Sequence, residues 1–121
     1  MAEELYSFPP LVRLRKPFDY KKVFANPVKS ADSYFTLLAI NNELTHPRLG
    51  LAIAKKNIRL AVDRNYIKRT IRENFRMQQQ QLGTMDIVVL ARKEALDVSA
   101  DVLRASLNKH WIRLLNRCNS L

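Results

Sequence analysis

Hydrophobic positions recur along this chain with two periods, and the change between them marks the elements. Residues 33–41 (SYFTLLAIN) are rich in aromatic and branched side chains and predict a strand. Residues 41–47 (NNELTHP) predict a turn. Residues 48–54 (RLGLAIA) alternate large Leu49, Leu51 and Ile53 with small Gly50, Ala52 and Ala54. That period of two predicts a second strand, one face of which lets another element lie close. From about Leu60 to Leu82 the period becomes helical. Leu60, Ile67, Ile71, Phe75 and Leu82 fall on one face, and Gly83 suits the C′ position that ends a helix. Residues 85–91 (MDIVVLA) are almost wholly apolar, as in a buried central strand. A last helix runs from about Ser99 to Cys118, with Leu103, Leu107, Trp111, Leu114 and Cys118 on its apolar face. Ser99 is its N-cap, and Asp101 sits in its first turn.

Ahead of these elements, Pro17 suits the first turn of a short helix to about Ala25, and Asn26-Pro27 stops it. Residues 1–12 read as a loosely held arm, extended at Pro9-Pro10. The order helix, strand, strand, helix, strand, helix predicts an α+β fold, a small sheet packed by helices. The 121 residues suit a single domain, 1–121, large enough to fold without a staple. The one cysteine, Cys118, allows no internal disulfide, which fits a reducing cytoplasm. The apolar runs Leu49–Ala54 and Ile87–Ala91 are too short to cross a bilayer, and the N-terminus lacks the features of a signal peptide.

Charge changes the picture. The chain carries 21 Lys+Arg against 11 Asp+Glu, a net +10. Residues 13–76 hold 15 basic and 5 acidic side chains, so the whole excess lies there. Such a field attracts a polyanion, either nucleic acid or an anionic membrane surface. The central helix concentrates it. With Arg64 at 0°, Lys68 falls at about 40°, Arg72 at 80°, Asn65 at 100°, Arg76 at 120° and Arg69 at 140°. Like charges four residues apart repel by a few tenths of a kcal/mol per pair. A run of Arg64, Lys68, Arg72 and Arg76 tolerates that repulsion for a reason, and phosphate binding supplies one. The bland alternative is a solvated face bridged to Asp63 and Glu73. Lys55, Lys56 and Arg59 precede the helix, and alone they say little.

On the first helix, Tyr20 and Phe24 share a face at i, i+4, among Arg13, Arg15, Lys16, Lys21 and Lys22. Rings among cations suit single-stranded RNA. The same spacing also suits an ordinary core face shared with Val23. Phe18 has no assigned role. Arg92 and Lys93 follow the third predicted strand and are candidates for a rim, or plain surface charges. Catalytic signatures are lacking. The carboxylates are scattered, with only Glu3-Glu4 adjacent, whereas a two-metal nuclease gathers several. His46 and His110 read as surface or packing residues. Zinc-ligand spacing is absent, and Gly50 and Gly83 form no phosphate loop. No catalytic residue and no metal ligand are expected on this chain.

The run KKNIRLAVDRNYIKRTIRENFR, Lys55–Arg76, resembles the signature of the bacterial ribonuclease P protein component, RNxxKRxxRE after a strand ending in a lysine pair. The matching residues are Arg64, Asn65, Lys68, Arg69, Arg72 and Glu73. RLRKPFDYKKVF, HPRLGLAIAKK and MDIVVLARK resemble other blocks of the family in the same order. One position departs: Tyr66 stands where the third residue of the motif is usually Arg. The resemblance implies a left-handed βαβ crossover, against the usual hand. It implies a protein that binds a catalytic RNA, the ribonuclease P RNA, and the single-stranded 5′ leader of precursor tRNA. Leader removal is then RNA-catalysed hydrolysis in the cytoplasm. Mg²⁺ acts through the RNA subunit, with no dedicated protein site, no membrane and no obligate protein partner. It implies RNA-subunit binding by Lys55, Lys56, Arg59, Arg64, Asn65, Lys68, Arg69, Arg72 and Arg76, and a leader cleft at Arg13, Tyr20, Phe24 and Lys93. A stand-alone RNA-binding module and an independent metal-dependent nuclease are the rival readings.

Overall fold

The computed structural model describes residues 12–119. In chain order these form α1 (Pro17–Ala25), β1 (Val28–Ala31), β2 (Phe35–Asn41), β3 (Arg48–Ala52), α2 (Ala61–Gln78), a 3-10 turn (Gln79–Gln81), β4 (Met85–Ala91), a 3-10 segment (Lys93–Asp97) and α3 (Ala100–Asn119). The α+β class holds. The arm expected over 1–12 lies outside the described residues except for Val12, which is buried in the main core.

One strand, β1, is additional to the predicted order. Its sequence, VKSA, has no alternating apolar pattern, because the inward position at Ser30 is polar. Side chains from elsewhere stitch it in. The buried Ser30 hydroxyl meets Nδ1 of His110 on α3 at 2.7 Å. The Arg117 guanidinium, also on α3, donates to the Lys29 carbonyl. Asp32 makes the turn into β2, accepting the amides of Tyr34 and Phe35 at 2.8 and 2.9 Å.

The sheet runs β1-β2-β4-β3. β1 and β4 pair antiparallel with β2, and β3 pairs parallel with β4. α2 joins those parallel neighbours, giving the βαβ unit. β4 is buried along nearly its whole length, as a central strand requires. Beyond β3 the chain adds one further bridge, Arg13 beside Leu49, with the Leu14 amide donating to the Leu49 carbonyl at 2.9 Å.

The two faces of the sheet are packed unequally. Phe35, Leu37, Ala39, Leu49, Ile87 and Val89 meet Ile67, Ile71 and Phe75 of α2 and Leu103, Leu107, Trp111, Leu114 and Cys118 of α3. Phe75 and Trp111 pack edge to face at 6.2 Å. Leu60 does not join this face. It precedes the first helical residue, Ala61, and is 50% exposed. Ile58 is buried there instead, carried inward by a turn closed on the Ala54 carbonyl. Leu82 reaches the core beyond the end of α2, and Gly83 follows with a left-handed φ of 66°. Ser99 caps α3 through its hydroxyl, 3.4 Å from the Val102 amide. Among the described residues the opposite face carries only α1, which buries Val23 against Leu14 and Val88 and leaves Leu38, Ile40, Ala52 and Leu90 half-covered.

Candidate nucleic-acid interface

α1 is short, so its position depends on tertiary ties. Burying Val23 is worth about 1.5–3 kcal/mol. Tyr20 crosses the outer face of β3, where its hydroxyl accepts the Leu51 amide at 3.2 Å. Gly50 lies beneath the ring, and a Cβ there would stand 2.8 Å from its edge. The small-residue face of this strand therefore lets Tyr20 lie close against the sheet. Asp19 approaches Arg48 at 3.6 Å, and Arg48 grips Asp86 with two bonds of 2.8 and 2.6 Å. Asp86 is 3% exposed, and Asn42 also donates to it at 3.0 Å. The Asp86 hydrogen bond, set against burial, holds the Arg48 pKa above its usual value.

Val23 is buried, Tyr20 is half-buried and packs against the same Leu14–Val23–Val88 cluster, and Phe24 is 45% exposed. Arg92 leans over the same sheet face, donating to the Thr36 hydroxyl at 3.3 Å. Lys93 is exposed where the following 3-10 segment begins.

α2 docks Ile67, Ile71 and Phe75 on the sheet and turns its basic flank outward. Arg69, Arg72 and Arg76 are exposed and Lys68 is half-buried. Among the described residues none of these four makes an ion pair, and neither Asp63 nor Glu73 bridges to them. Arg64 differs, because its guanidinium donates to the carbonyls of Ile58 at 3.0 Å and Arg59 at 2.7 Å. It fastens the loop after β3 to the start of the helix. Lys55, Lys56 and Arg59 sit exposed on that loop. Tyr66, 36% exposed, lies off the cationic stripe, at about 200° from Arg64.

The two regions join at the edge of β3. Arg13, Asn65, Arg69, Arg72, Glu73 and Arg76 line one shallow depression. Arg13, Lys68 and Arg72 line the next, whose floor is Leu14, Tyr20, Leu49 and Leu51. Arg13 and Arg72 belong to both, so the cationic stripe runs without a break onto the face that carries α1. The pattern of residues foretold the stripe but not the Arg48–Asp86–Asn42 support beneath α1. Its signal was Asp86, a carboxylate inside an otherwise apolar strand.

One further titratable pair is His110 with Asp32. His110 is fully buried, with Nε2 3.1 Å from Asp32 but not aligned for a hydrogen bond. Burial lowers its pKa against the pull of Asp32. Burial also raises the pKa of Asp32, but the Ser106 hydroxyl, the two turn amides and His110 outweigh it and hold the value at about 2. Among the described residues no group of three or more His, Cys, Asp or Glu side chains is arranged to hold a metal ion. No described helix is long and apolar enough to cross a membrane.

Comparison with known proteins bears on this arrangement. The family model for Ribonuclease P matches residues 8–115. The chain belongs to the ribonuclease P family. It is 52% identical over 114 residues to the ribonuclease P protein component of Methylococcus capsulatus, covering 94% of this chain and 89% of that one. The Staphylococcus aureus ribonuclease P protein, solved at 2.0 Å, superposes with a TM-score of 0.77 at 35% identity, over 84% of this chain and 93% of that one. The ribonuclease P protein of Thermotoga maritima gives 0.74 at 31% identity, over 84% and 96%. The resemblance carried by Lys55–Arg76 thus extends through the fold, and it places the chain among the protein components of a tRNA-processing ribonucleoprotein.

Proposed function

We propose that this chain is the RNA-binding subunit of a ribonuclease P holoenzyme, in the cytoplasm. It holds the catalytic RNA along α2 and the single-stranded 5′ leader of precursor tRNA beside α1. The observation that carries this reading is the cationic stripe, whose Lys68, Arg69, Arg72 and Arg76 make no ion pair among the described residues, and which meets at Arg72 a depression floored by Tyr20. Arg69, Arg72, Arg76 and Lys68 meet phosphates of the RNA subunit, with Lys55, Lys56 and Arg59 extending the contact. Arg64 orders the loop that carries those three, and Asn65 offers a donor and an acceptor to a ribose or base edge. On the other face Phe24 and Tyr20 stack leader bases, while Arg13 and Lys93 track its backbone.

Binding of this kind performs a task. RNA subunit and substrate are both polyanions, and a cationic body between them offsets their repulsion. Holding the leader in register with the cleavage site turns a diffusional encounter into a positioned one. The hydrolysis belongs to the RNA with its Mg²⁺, and no side chain of this chain acts on the scissile phosphate.

The test is cleavage of a 5′-extended precursor tRNA at physiological Mg²⁺ by the protein alone, a bacterial ribonuclease P RNA alone, and both together. Cleavage at the mature 5′ end, strongly enhanced only in the mixture, is the expected result. No enhancement by folded protein with a compatible RNA makes the chain a stand-alone RNA-binding module. Cleavage by the purified protein alone makes it a nuclease.

A further inference from the structure

The cleft reading uses one side of α1, and its outer side carries an aromatic ring that neither the core nor the cleft explains. Phe18 is 67% exposed. The Lys22 ammonium sits over its ring, 5.8 Å from the centroid, which leaves the other ring face without that partner. Around the helix, with Pro17 at 0°, Val23 points to the sheet at about 240° and Tyr20 follows at 300°. Phe24 lies at 340°, Lys21 at 40°, Phe18 at 100° and Lys22 at 140°. Two rings, a cation, a third ring and a second cation therefore follow one another from the cleft side to the outer surface of the helix. Arg15 and Lys16 stand exposed just before it. A single exposed apolar side chain is ordinary. A Phe held under an ammonium, in line with two further rings and bordered by cations, is the composition of a stacking path for a single strand.

We propose that the strand occupying the α1 cleft continues over the outer face of α1 and stacks one further unpaired base on Phe18, with Lys21 and Lys22 on its phosphates. This inference rests on the leader reading given above. The chemistry asks for a nucleobase rather than an apolar side chain, because the surroundings are cationic and the ring is already polarised by Lys22. It asks for a flexible strand, because the path curves through roughly 160° of helix surface from Tyr20 to Phe18.

The experiment uses the holoenzyme and precursor tRNAs whose leaders grow one nucleotide at a time. Substrate affinity is measured for the wild type, Phe18→Ala, Phe18→Leu, Phe18→Trp and Phe24→Ala. The wild type gains about tenfold in affinity at the leader length that first reaches Phe18. Phe18→Ala and Phe18→Leu lose that step and match the wild type on shorter leaders, while Phe18→Trp keeps it. Equal melting temperatures show that the exposed position leaves the fold intact. Phe18→Ala tracking the wild type at every length overturns the proposal, and so does Phe18→Leu retaining the step. A loss independent of leader length also overturns it, placing Phe18 against the RNA subunit or the tRNA body. If Phe24→Ala removes a leader-dependent gain and Phe18→Ala removes none, this inference fails and the cleft reading stands. If neither variant alters any leader-dependent gain, the cleft reading itself fails.

Discussion

Replacing Gly50 by Ala tests how α1 is seated. The new Cβ would stand 2.8 Å from Cε1, Cζ and Oη of Tyr20. Unbonded carbons prefer about 3.5–4.0 Å, so the ring must lift by most of an ångström. The hydroxyl then leaves the Leu51 amide, whose bond at 3.2 Å is already long. Losing that bond removes about 1 kcal/mol, and residual overpacking brings the total to about 1–3 kcal/mol. For a chain of this length that is a fall in Tm of roughly 4 °C per kcal/mol. In a Tyr20→Ala background the obstacle is gone. Gly50 is not among the residues with positive φ, so Ala fits its backbone and stabilises by about 0.4–1 kcal/mol, by restricting the unfolded chain. The sign of the substitution therefore reverses between backgrounds. Urea unfolding of the four proteins measures the coupling. Equal destabilisation by Gly50→Ala in both backgrounds would refute the argument, because the clash would then lie in the strand and not with the ring. Precursor binding should weaken with the displaced ring, while binding to the RNA subunit stays near wild type.

Other outcomes follow from the same geometry. Arg69→Gln with Arg72→Gln lowers the salt slope of RNA-subunit binding by roughly 1.4–1.8, since each lost phosphate contact contributes about 0.7–0.9; an unchanged slope counts against the α2 interface. Arg48→Ala leaves Asp86 buried with Asn42 but without its cation and destabilises by about 3 kcal/mol in chemical unfolding; a loss below 1 kcal/mol would show that Asn42 suffices. Acid weakens the fold in two stages. His110 has a lowered pKa, so its contribution is complete above pH 6.5 and declines below that; Asp32, held at about 2 from its usual 3.8, loses its share as pH falls from about 4 toward 2. His110→Gln should remove the first stage and leave most of the second, which Ser106 and the Tyr34 and Phe35 amides sustain, in urea midpoints measured from pH 8 to pH 3. Cys118 is buried and its thiol pKa is raised by burial, so thiol reagents should modify it only as fast as the protein opens.

The legibility of this fold followed the strength of its periodic patterns. α3 and β4 were readable because most of their inward residues are apolar, and Leu103, Leu107, Trp111, Leu114 and Cys118 keep a helical period despite the buried Ser106, His110 and Asp86. The basic flank of α2 was readable because a helix fixes angular positions from spacing alone. β1 was not, since its inward Ser30 is satisfied by His110, eighty positions away, and no local pattern encodes that partner. Leu60 misled because a hydrophobic residue one step before a helix matches the period without belonging to it. For Tyr20 and Phe24 the spacing was right and the roles were ambiguous. A shared helix face does not say how far the sheet extends beneath it, and that reach separates a half-buried wall from an exposed ring.

The ends of the sheet differ in how they meet other strands. Beyond β3 the chain closes its own edge with Arg13 and Leu14. β1 remains the outer strand on the far side, and an outer strand is a template on which another copy's backbone can add. Here the strand is four residues long, and the Lys29 carbonyl is already taken by Arg117. A second copy seeking that edge would have to displace one guanidinium and bring Lys29 against its own cations. On the proposed reading the charge of this protein thus serves in two capacities, as bait for phosphate on one side and as a guard against self-templating on the other.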